Sequence, residues 1–228
     1  MPDRDNSLAL FIERIKESPL FGSLREDSLA FLWSRAKLIH YQAGAMVFGE
    51  GEPSQGLYWL QSGTLKAVKY STSGREQVLH LNKPGQTFNE VGALSILPSP
   101  ASVVALAPAH VWHIPGNTIR QLIRQDPDFA QAIIDVLSKR LRDSAALVED
   151  LSLRPVISRL SRLILDEAEG DTLLRPSWYT QNELAARLGT VTDVVQRSLR
   201  KLEADGLIEV GRQQILIIDR DQLEQLAS

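Results

Sequence analysis

Thr192, Asp193, Gln196, Arg197 and Arg200 stand at steps of one, four, five and eight residues, within one sector of a helix turning about 100° per residue. Their chemistry matches the edges of DNA bases. An arginine bonds a guanine edge bidentately, a glutamine suits adenine, an aspartate accepts from cytosine N4, and a threonine methyl meets the thymine methyl. A solvated helix face carries similar residues, so the reading depends on the elements around it.

Those elements form a recognisable unit. Thr180-Gln181-Asn182-Glu183 has the form of a capping box, Thr at N-cap and Glu at N3. It starts a short helix whose Leu184, Ala185 and Leu188 face inward and which Gly189 ends. A second helix begins near Thr190, with Val191, Val194, Val195, Leu199 and Leu202 facing inward, and closes at Gly206. Ala185 is small where the helices cross, and Gly189 suits a turn that needs positive φ. Leu207-Ile208-Glu209-Val210, a Gly211-Arg212 turn and Gln214 to Ile218 follow as a β-hairpin, which completes a winged helix-turn-helix. Thr180 and Gln181 join the five outward residues as candidate DNA contacts. From Arg187 to Lys201, four cations (Arg187, Arg197, Arg200, Lys201) against Asp193 leave a local charge of +3.

Upstream, Phe129, Ile133, Ile134, Leu137, Leu141, Ala145, Val148 and Leu151 recur at steps of three and four, a stripe over many helical turns. A homodimer seam through Ile134, Leu137, Leu141, Ala145 and Val148 accounts for it, as does a helix packed on its own domain. Pro155 interrupts the pattern before a second stripe at Ile157, Leu160, Leu163 and Ile164, which places a junction near Leu151 to Pro155. Before the long helix, Met46 to Phe48, Leu57 to Leu60, Thr64 to Tyr70, Gln77 to Leu81, Ala101 to Leu106 and His110 to Ile114 read as short strands punctuated by glycine. Small helices over Leu8 to Glu17 and Arg25 to Trp33 precede them, and Pro115-Gly116-Asn117 opens another. The expected fold class is α+β: an N-terminal antiparallel β-roll with flanking helices (1–125), a long dimerisation helix (126–152) and a C-terminal winged helix (153–228).

Composition narrows the function. With 228 residues, 43% hydrophobic and 23% charged, disorder and fibrous repeats are excluded. The absence of cysteine excludes disulfides, thiolate zinc sites, iron–sulfur clusters and cysteine nucleophiles. A net charge of −3 supplies no general attraction for nucleic acid, so any contact must be local. His110 and His113 lack a nearby carboxylate and no nucleophile elbow is present, so no enzyme and no metal site is expected. Met1-Pro2-Asp3-Arg4-Asp5 lacks the layout of a secretory signal, and no apolar run approaches the roughly 18 residues of a span. The expectation is a cytoplasmic protein with no membrane partner.

The order of parts resembles the CRP/FNR superfamily of bacterial transcription regulators over nearly the whole chain. GAMVFGEGEPSQGLYWLQSGTLKAVKY, from Gly44 to Tyr70, resembles the family's double-glycine roll, GREQVLHLNKPGQTFNEVGAL its phosphate-binding cassette and the strand before it, and TQNELAARLGTVTDVVQRSLRKLEADGLIEV its helix-turn-helix. The resemblance implies a cyclic-nucleotide-binding-like jelly roll with an effector pocket at Phe88, Asn89, Glu90 and Ser102, joined by Ser144 on the long helix. Glu90 stands where the family's glutamate binds the ribose hydroxyl, and Gly92 is retained. Asn89 replaces the usual glycine, however, and Pro100-Ala101-Ser102 falls where the phosphate-binding arginine is expected, with no arginine between Arg75 and Arg120. The adenine-contacting pair aligns with Ser144 and Ala145, so one hydroxyl is lost. These departures argue against tight cAMP binding and for another effector or none; Glu90 tying down its own loop is the alternative role.

Haem stays open as a cofactor through His40, His80, His110 or His113, with ordinary strand roles as the alternative. Alternation along a strand puts His110 and His113 on opposite faces. Pro2 resembles the N-terminal proline ligand of one carbon monoxide-sensing group. On the reading helix, Asp193, Gln196 and Arg197 stand where the family has a glutamate, a serine or glycine, and an arginine; only Arg197 matches, which implies a guanine contact by Arg197 and, from the shorter Asp193 and from Gln196, an altered half-site. The implied partners are double-stranded DNA with an inverted repeat, a second copy of the chain and RNA polymerase. The competing reading is a regulatory module whose helix-turn-helix binds protein.

Overall fold

The computed structural model describes residues 4–95 and 97–227, with side chains from Leu8 onward; Pro2 lies outside the described residues. The chain divides into two units, one of Met1–Lys69 and His80–Asp143, the other of Tyr70–Leu79 and Ser144–Ser228.

Helices α1 (Arg4–Ile15) and α2 (Glu26–Arg35) lead into strands β1 (Lys37–Tyr41), β2 (Met46–Phe48), β3 (Gly56–Ser62), β4 (Leu65–Tyr70), β5 (Glu76–Asn82) and β6 (Thr87–Phe88). The short helix α3 (Glu90–Leu94), strands β7 (Ser102–Ala105) and β8 (Ala109–Pro115), and helices α4 (Gly116–Gln125) and α5 (Pro127–Leu153) follow. The strands make two four-stranded sheets, β1-β8-β3-β6 and β2-β7-β4-β5. Two of these strands carry no sequence signal. In β1 only Ile39 and Tyr41 are half-buried, and the adjacent apolar pair Leu38-Ile39 blurs the alternation in the sequence, while β6 is two residues long. Strand β3 lies so close to β8 that a Cβ on Gly56 would sit 2.1 Å from the carbonyl oxygen of Ile114, at a φ of +152°.

The first unit's core joins roll to helices. Leu57, Trp59, Trp112 and Ile114 pack with Phe11, Ile15, Phe21, Ile119 and Phe129. Trp33, Trp112 and Phe11 crowd together, with ring centroids 4.7 Å apart for Phe11 and Trp112 and 5.1 Å for Trp33 and Trp112. Trp59 meets Phe11 edge-on at 6.3 Å. The apolar stripe of α5 divides. Phe129 and Ile133 are buried in this core, whereas Ile134, Leu141 and Val148, spaced by seven residues, are 54%, 72% and 64% exposed. The first pair anchors the helix to its own roll, and the outward residues are left without cover in the single chain.

The second unit contains α6 (Val156–Glu167), β9 (Thr172–Leu174), α7 (Gln181–Leu188), α8 (Thr192–Ala204), β10 (Ile208–Val210), β11 (Gln214–Ile217) and α9 (Arg220–Ala227). Pro155 sits at the N-cap of α6, where its missing N–H costs no helical hydrogen bond. The hairpin gains a third strand that the sequence did not reveal, since β9 pairs with β11 at Leu173↔Ile215 to give the order β10-β11-β9. Leu160, Ile164, Leu184, Val195, Leu199, Leu202, Ile215 and Leu223 form the core. At about 1.5–3 kcal/mol for each fully buried aliphatic side chain, this cluster holds α7 and α8 in a fixed crossing.

Candidate nucleic-acid interface

Thr180, extended at φ −84° and ψ 168°, caps α7: its Oγ1 accepts a hydrogen bond from the Glu183 N–H at 3.1 Å. Gly189 ends the helix at φ 62°, and a Cβ there would lie 2.5 Å from Leu151 Cδ2, so both conformation and space select glycine. In α8, Val195, Ser198, Leu199 and Leu202 are buried. Val191 corrects the inward set assigned to this helix. It is the N-cap, extended at φ −117° and ψ 157°, and 48% exposed, because a residue outside the helical turn does not share the helix's faces.

The structure places Asp193, Arg197 and Arg200 exposed on the outward face of α8, with Thr192 and Gln196 half-buried between them. Thr180 is exposed and Gln181 half-buried at the start of α7. Among the described residues, Arg197 and Arg200 have no hydrogen-bond or ion-pair partner. Arg212 is also exposed, at the hairpin tip between β10 and β11. Its signal in the sequence is the cation of the Gly211-Arg212 turn, outside the seven candidate contacts.

The local charge needs correction, because Arg187 turns inward. It pairs with Glu167, whose Oε2 accepts from Arg187 Nη1 at 3.1 Å and from the Tyr179 hydroxyl at 2.8 Å, and its guanidinium lies 5.3 Å from the Tyr179 ring centre. Burial raises the Tyr179 hydroxyl pKa, and Glu167 adds to that against the opposing charge of Arg187. Burial opposes the Arg187 charge, yet the bond to Glu167 outweighs it and the pKa is raised. Lys201 is held by Asp205 at 3.0 Å. Between Arg187 and Lys201 the free outward charge is therefore Arg197 and Arg200 against Asp193, a net +1 rather than +3.

In the roll, Phe88, Asn89, Glu90 and Ser102 of the expected effector pocket are each engaged within the fold. Asn89 adopts a left-handed conformation at φ 64°, and its Nδ2 donates to Ser54 Oγ at 3.0 Å and to the Gly56 carbonyl at 2.8 Å. Glu90 is 5% exposed, accepts from Thr87 Oγ1 at 2.7 Å and lies 3.9 Å from Arg140. Arg140 also donates to the Thr87 carbonyl at 2.7 Å. Ser102 Oγ accepts from the Glu50 N–H at 2.9 Å, Phe88 stacks on Tyr58 at 5.1 Å, and Ser144 is exposed on α5.

His110 bonds Ser62 Oγ at 2.8 Å and meets His40, its partner in the β1–β8 register, at a centroid distance of 4.2 Å. His113 lies 3.2 Å from the Gln55 carbonyl and 5.0 Å from the Tyr58 ring. Among the described residues no group of three or more His, Asp or Glu side chains is placed to hold a metal ion.

His80 is mostly buried. Burial first, then the charge of Arg140, pulls its pKa down to about 4 against a smaller opposing effect of Asn82. The folded chain thus takes up this proton only near pH 4, while an unfolded histidine takes it up near 6.5. Stability from this group is intact above about pH 6.5 and is lost as pH falls toward 4, by on the order of 3 kcal/mol. Urea unfolding of wild type and His80→Leu at about pH 7 and pH 4.5 is expected to show a smaller acid loss in the variant.

A cyclic nucleotide-binding domain model matches residues 38–126, and a Crp-like helix-turn-helix domain model matches residues 158–226. A CRP-like cAMP-activated global transcriptional regulator of Mycobacterium tuberculosis is 25% identical over 221 residues, covering 94% of this chain and 99% of that protein. The cyclic AMP receptor protein of Thermus thermophilus is 28% identical over 214 residues, covering 93% and 98%. The structure of FixK2 from Bradyrhizobium japonicum matches with a TM-score of 0.75 at 21% identity, over 85% of this chain and 98% of that one, a likeness of fold. Among the described residues no helix is long and apolar enough to cross a membrane.

Proposed function

The chain belongs to the CRP/FNR superfamily of transcriptional regulators, a DNA-binding protein and not an enzyme, and on that premise we propose that it binds a palindromic operator as a homodimer through α8. The observation that carries this reading is the exposed, unpaired pair Arg197 and Arg200 on α8, flanked by Asp193 and Gln196. Two copies of α8 in successive major grooves require half-site centres roughly 34 Å apart. Thr180 and Gln181 lie where a helix N-terminus meets phosphate, and Arg212 gives the hairpin tip a cation for the backbone.

We assign the roll and its helices (1–125) to sensing, α5 (126–152) to dimerisation and 153–228 to DNA reading. The two cAMP-linked relatives invite cAMP as the effector. The residues around Glu90 argue otherwise. Asn89 closes onto Ser54 and Gly56, Ser102 is engaged by Glu50, and the sequence supplies no arginine from 76 to 119 to pair a cyclic phosphate. Control by a different small molecule, or by abundance alone, fits these residues better. RNA polymerase is the partner through which activation would run.

The test is an electrophoretic shift on a site selected from random duplexes. Arg197→Ala is expected to lose about 1–3 kcal/mol per half-site and to relax selectivity at one base pair. Equal binding by wild type and variant, or selection of sites without an inverted repeat, overturns the assignment. Absence of salt-dependent DNA affinity would favour a protein-binding helix-turn-helix.

A further inference from the structure

Strand β1 is an edge of its sheet, and its register with β8 sets His40 directly opposite His110, a residue far along the chain. The two rings meet at a centroid distance of 4.2 Å with their planes at 72°. We propose that this pair chelates a divalent transition-metal ion of the nitrogen-preferring class, zinc, nickel or copper, through one nitrogen of each ring. The pair lies outside both the cassette residues and the reading helix, and the inference does not depend on the assignment of the roll to sensing.

Geometry comes first. Residues directly opposite on an antiparallel pair hold their Cβ atoms about 4.5–5.5 Å apart on one face of the sheet, so both imidazoles reach a common point without backbone movement. Two zinc–nitrogen bonds of about 2.0–2.1 Å at a tetrahedral angle span about 3.3 Å between the nitrogens. Rings already 4.2 Å apart at their centres meet that span by side-chain rotation alone. The second observation is the support behind His110, whose Nδ1 lies 2.8 Å from Ser62 Oγ. With the hydroxyl accepting the Nδ1 proton, the lone pair of Nε2 is left for a metal, and a fixed oxygen on the far nitrogen is how metal-binding histidines are generally oriented. A break in the β3–β8 register between Leu60 and Ser62 puts Ser62 opposite His110, while the intervening Gln61 accepts from Trp112 Nε1 at 2.7 Å. Such bulges serve to re-aim side chains. Third, His40 is exposed at the sheet edge, and among the described residues it has no hydrogen-bond or ion-pair partner, so its ring is free to turn and solvent reaches the pair. Two imidazoles leave the remaining positions of a four-coordinate ion to water. Neutral nitrogen donors select zinc, nickel and copper over magnesium and calcium, which take oxygen. The chain has no cysteine to compete for the ion, and of the other two histidines His80 is mostly buried and His113 is engaged by the Gln55 carbonyl. A bound ion would fasten the edge strand β1 to β8.

The untagged full-length chain, first treated with a chelator, is titrated calorimetrically with zinc chloride. The expected result is one ion per chain with a dissociation constant on the order of 10 µM, and no binding of magnesium at the same concentrations. His40→Gln and His110→Gln are each expected to weaken zinc binding about tenfold or more, since each removes one of the two protein ligands. His40 is exposed, so its replacement disturbs no core, and far-UV circular dichroism checks that both variants are folded. Zinc is expected to raise the unfolding midpoint of the wild type and to leave that of His40→Gln unchanged, because an ion that binds only the folded pair stabilises it. With copper as the probe, electron paramagnetic resonance is expected to show couplings to two imidazole nitrogens in the wild type and to one in His40→Gln. Zinc affinity undiminished in both variants, a stoichiometry of one ion per two chains, or identical nitrogen couplings in wild type and His40→Gln overturns the proposal.

Discussion

Leu141→Glu is expected to leave a folded chain that no longer dimerises and no longer holds a palindromic operator. Leu141 is the middle of three outward residues at seven-residue spacing and is 72% exposed in the single chain, so the substitution breaks nothing within the fold. In a twofold seam of parallel helices each such residue meets its own counterpart. Two carboxylates would then face each other in an apolar interface, at a cost of several kcal/mol for desolvation and repulsion. A penalty of about 4 kcal/mol weakens dimerisation roughly a thousandfold. Native mass spectrometry and sedimentation give the oligomeric state, and far-UV circular dichroism checks the helix. A variant that stays dimeric places the interface elsewhere.

Arg187→Leu is expected to destabilise the second unit by about 3–5 kcal/mol, because it strands the Glu167 carboxylate in a site where the pair is only 18% and 11% exposed. For a domain of this size the unfolding midpoint should fall by roughly 15 °C or more. The double variant Glu167→Leu/Arg187→Leu is expected to recover most of the loss, since replacing both members of a buried pair by apolar groups is far cheaper than removing one. Differential scanning calorimetry of the three proteins measures both effects. Equal midpoints for wild type and Arg187→Leu would mean that the pair is solvated in solution.

The helix-turn-helix was legible in the sequence because its signals are local. The Thr180 cap, the glycine at 189 and the stripe through Val195, Leu199 and Leu202 each follow from a few neighbouring residues. What stayed hidden depends on distant pairing. Strands β1, β6 and β9 have two to five residues each and become strands through partners far along the chain. Arg187 illustrates the same limit for charge. Its i−4 and i+4 neighbours, Glu183 and Val191, say nothing of Glu167 twenty residues upstream, and only the fold reveals that its charge is spent inside. The division of α5 was half visible: the steps of three and four showed a stripe, but only the packing of Phe129 and Ile133 tells which part is core.

The aromatic packing makes the molecule its own optical probe. Trp33, Trp59 and Trp112 lie together in the first unit, and the fourth tryptophan, Trp178, lies in the second, 5.5 Å from the ring of Tyr179. Rings as close as Trp33 and Trp112 couple their electronic transitions, so near-ultraviolet dichroism reports chiefly on the roll. Emission from Trp178, isolated by changing the other three to phenylalanine, reports the neighbourhood of the Glu167–Arg187 pair. The roll is thus followed by the dichroism of the wild-type protein and the second unit by the emission of the variant that keeps Trp178 alone, without an attached dye.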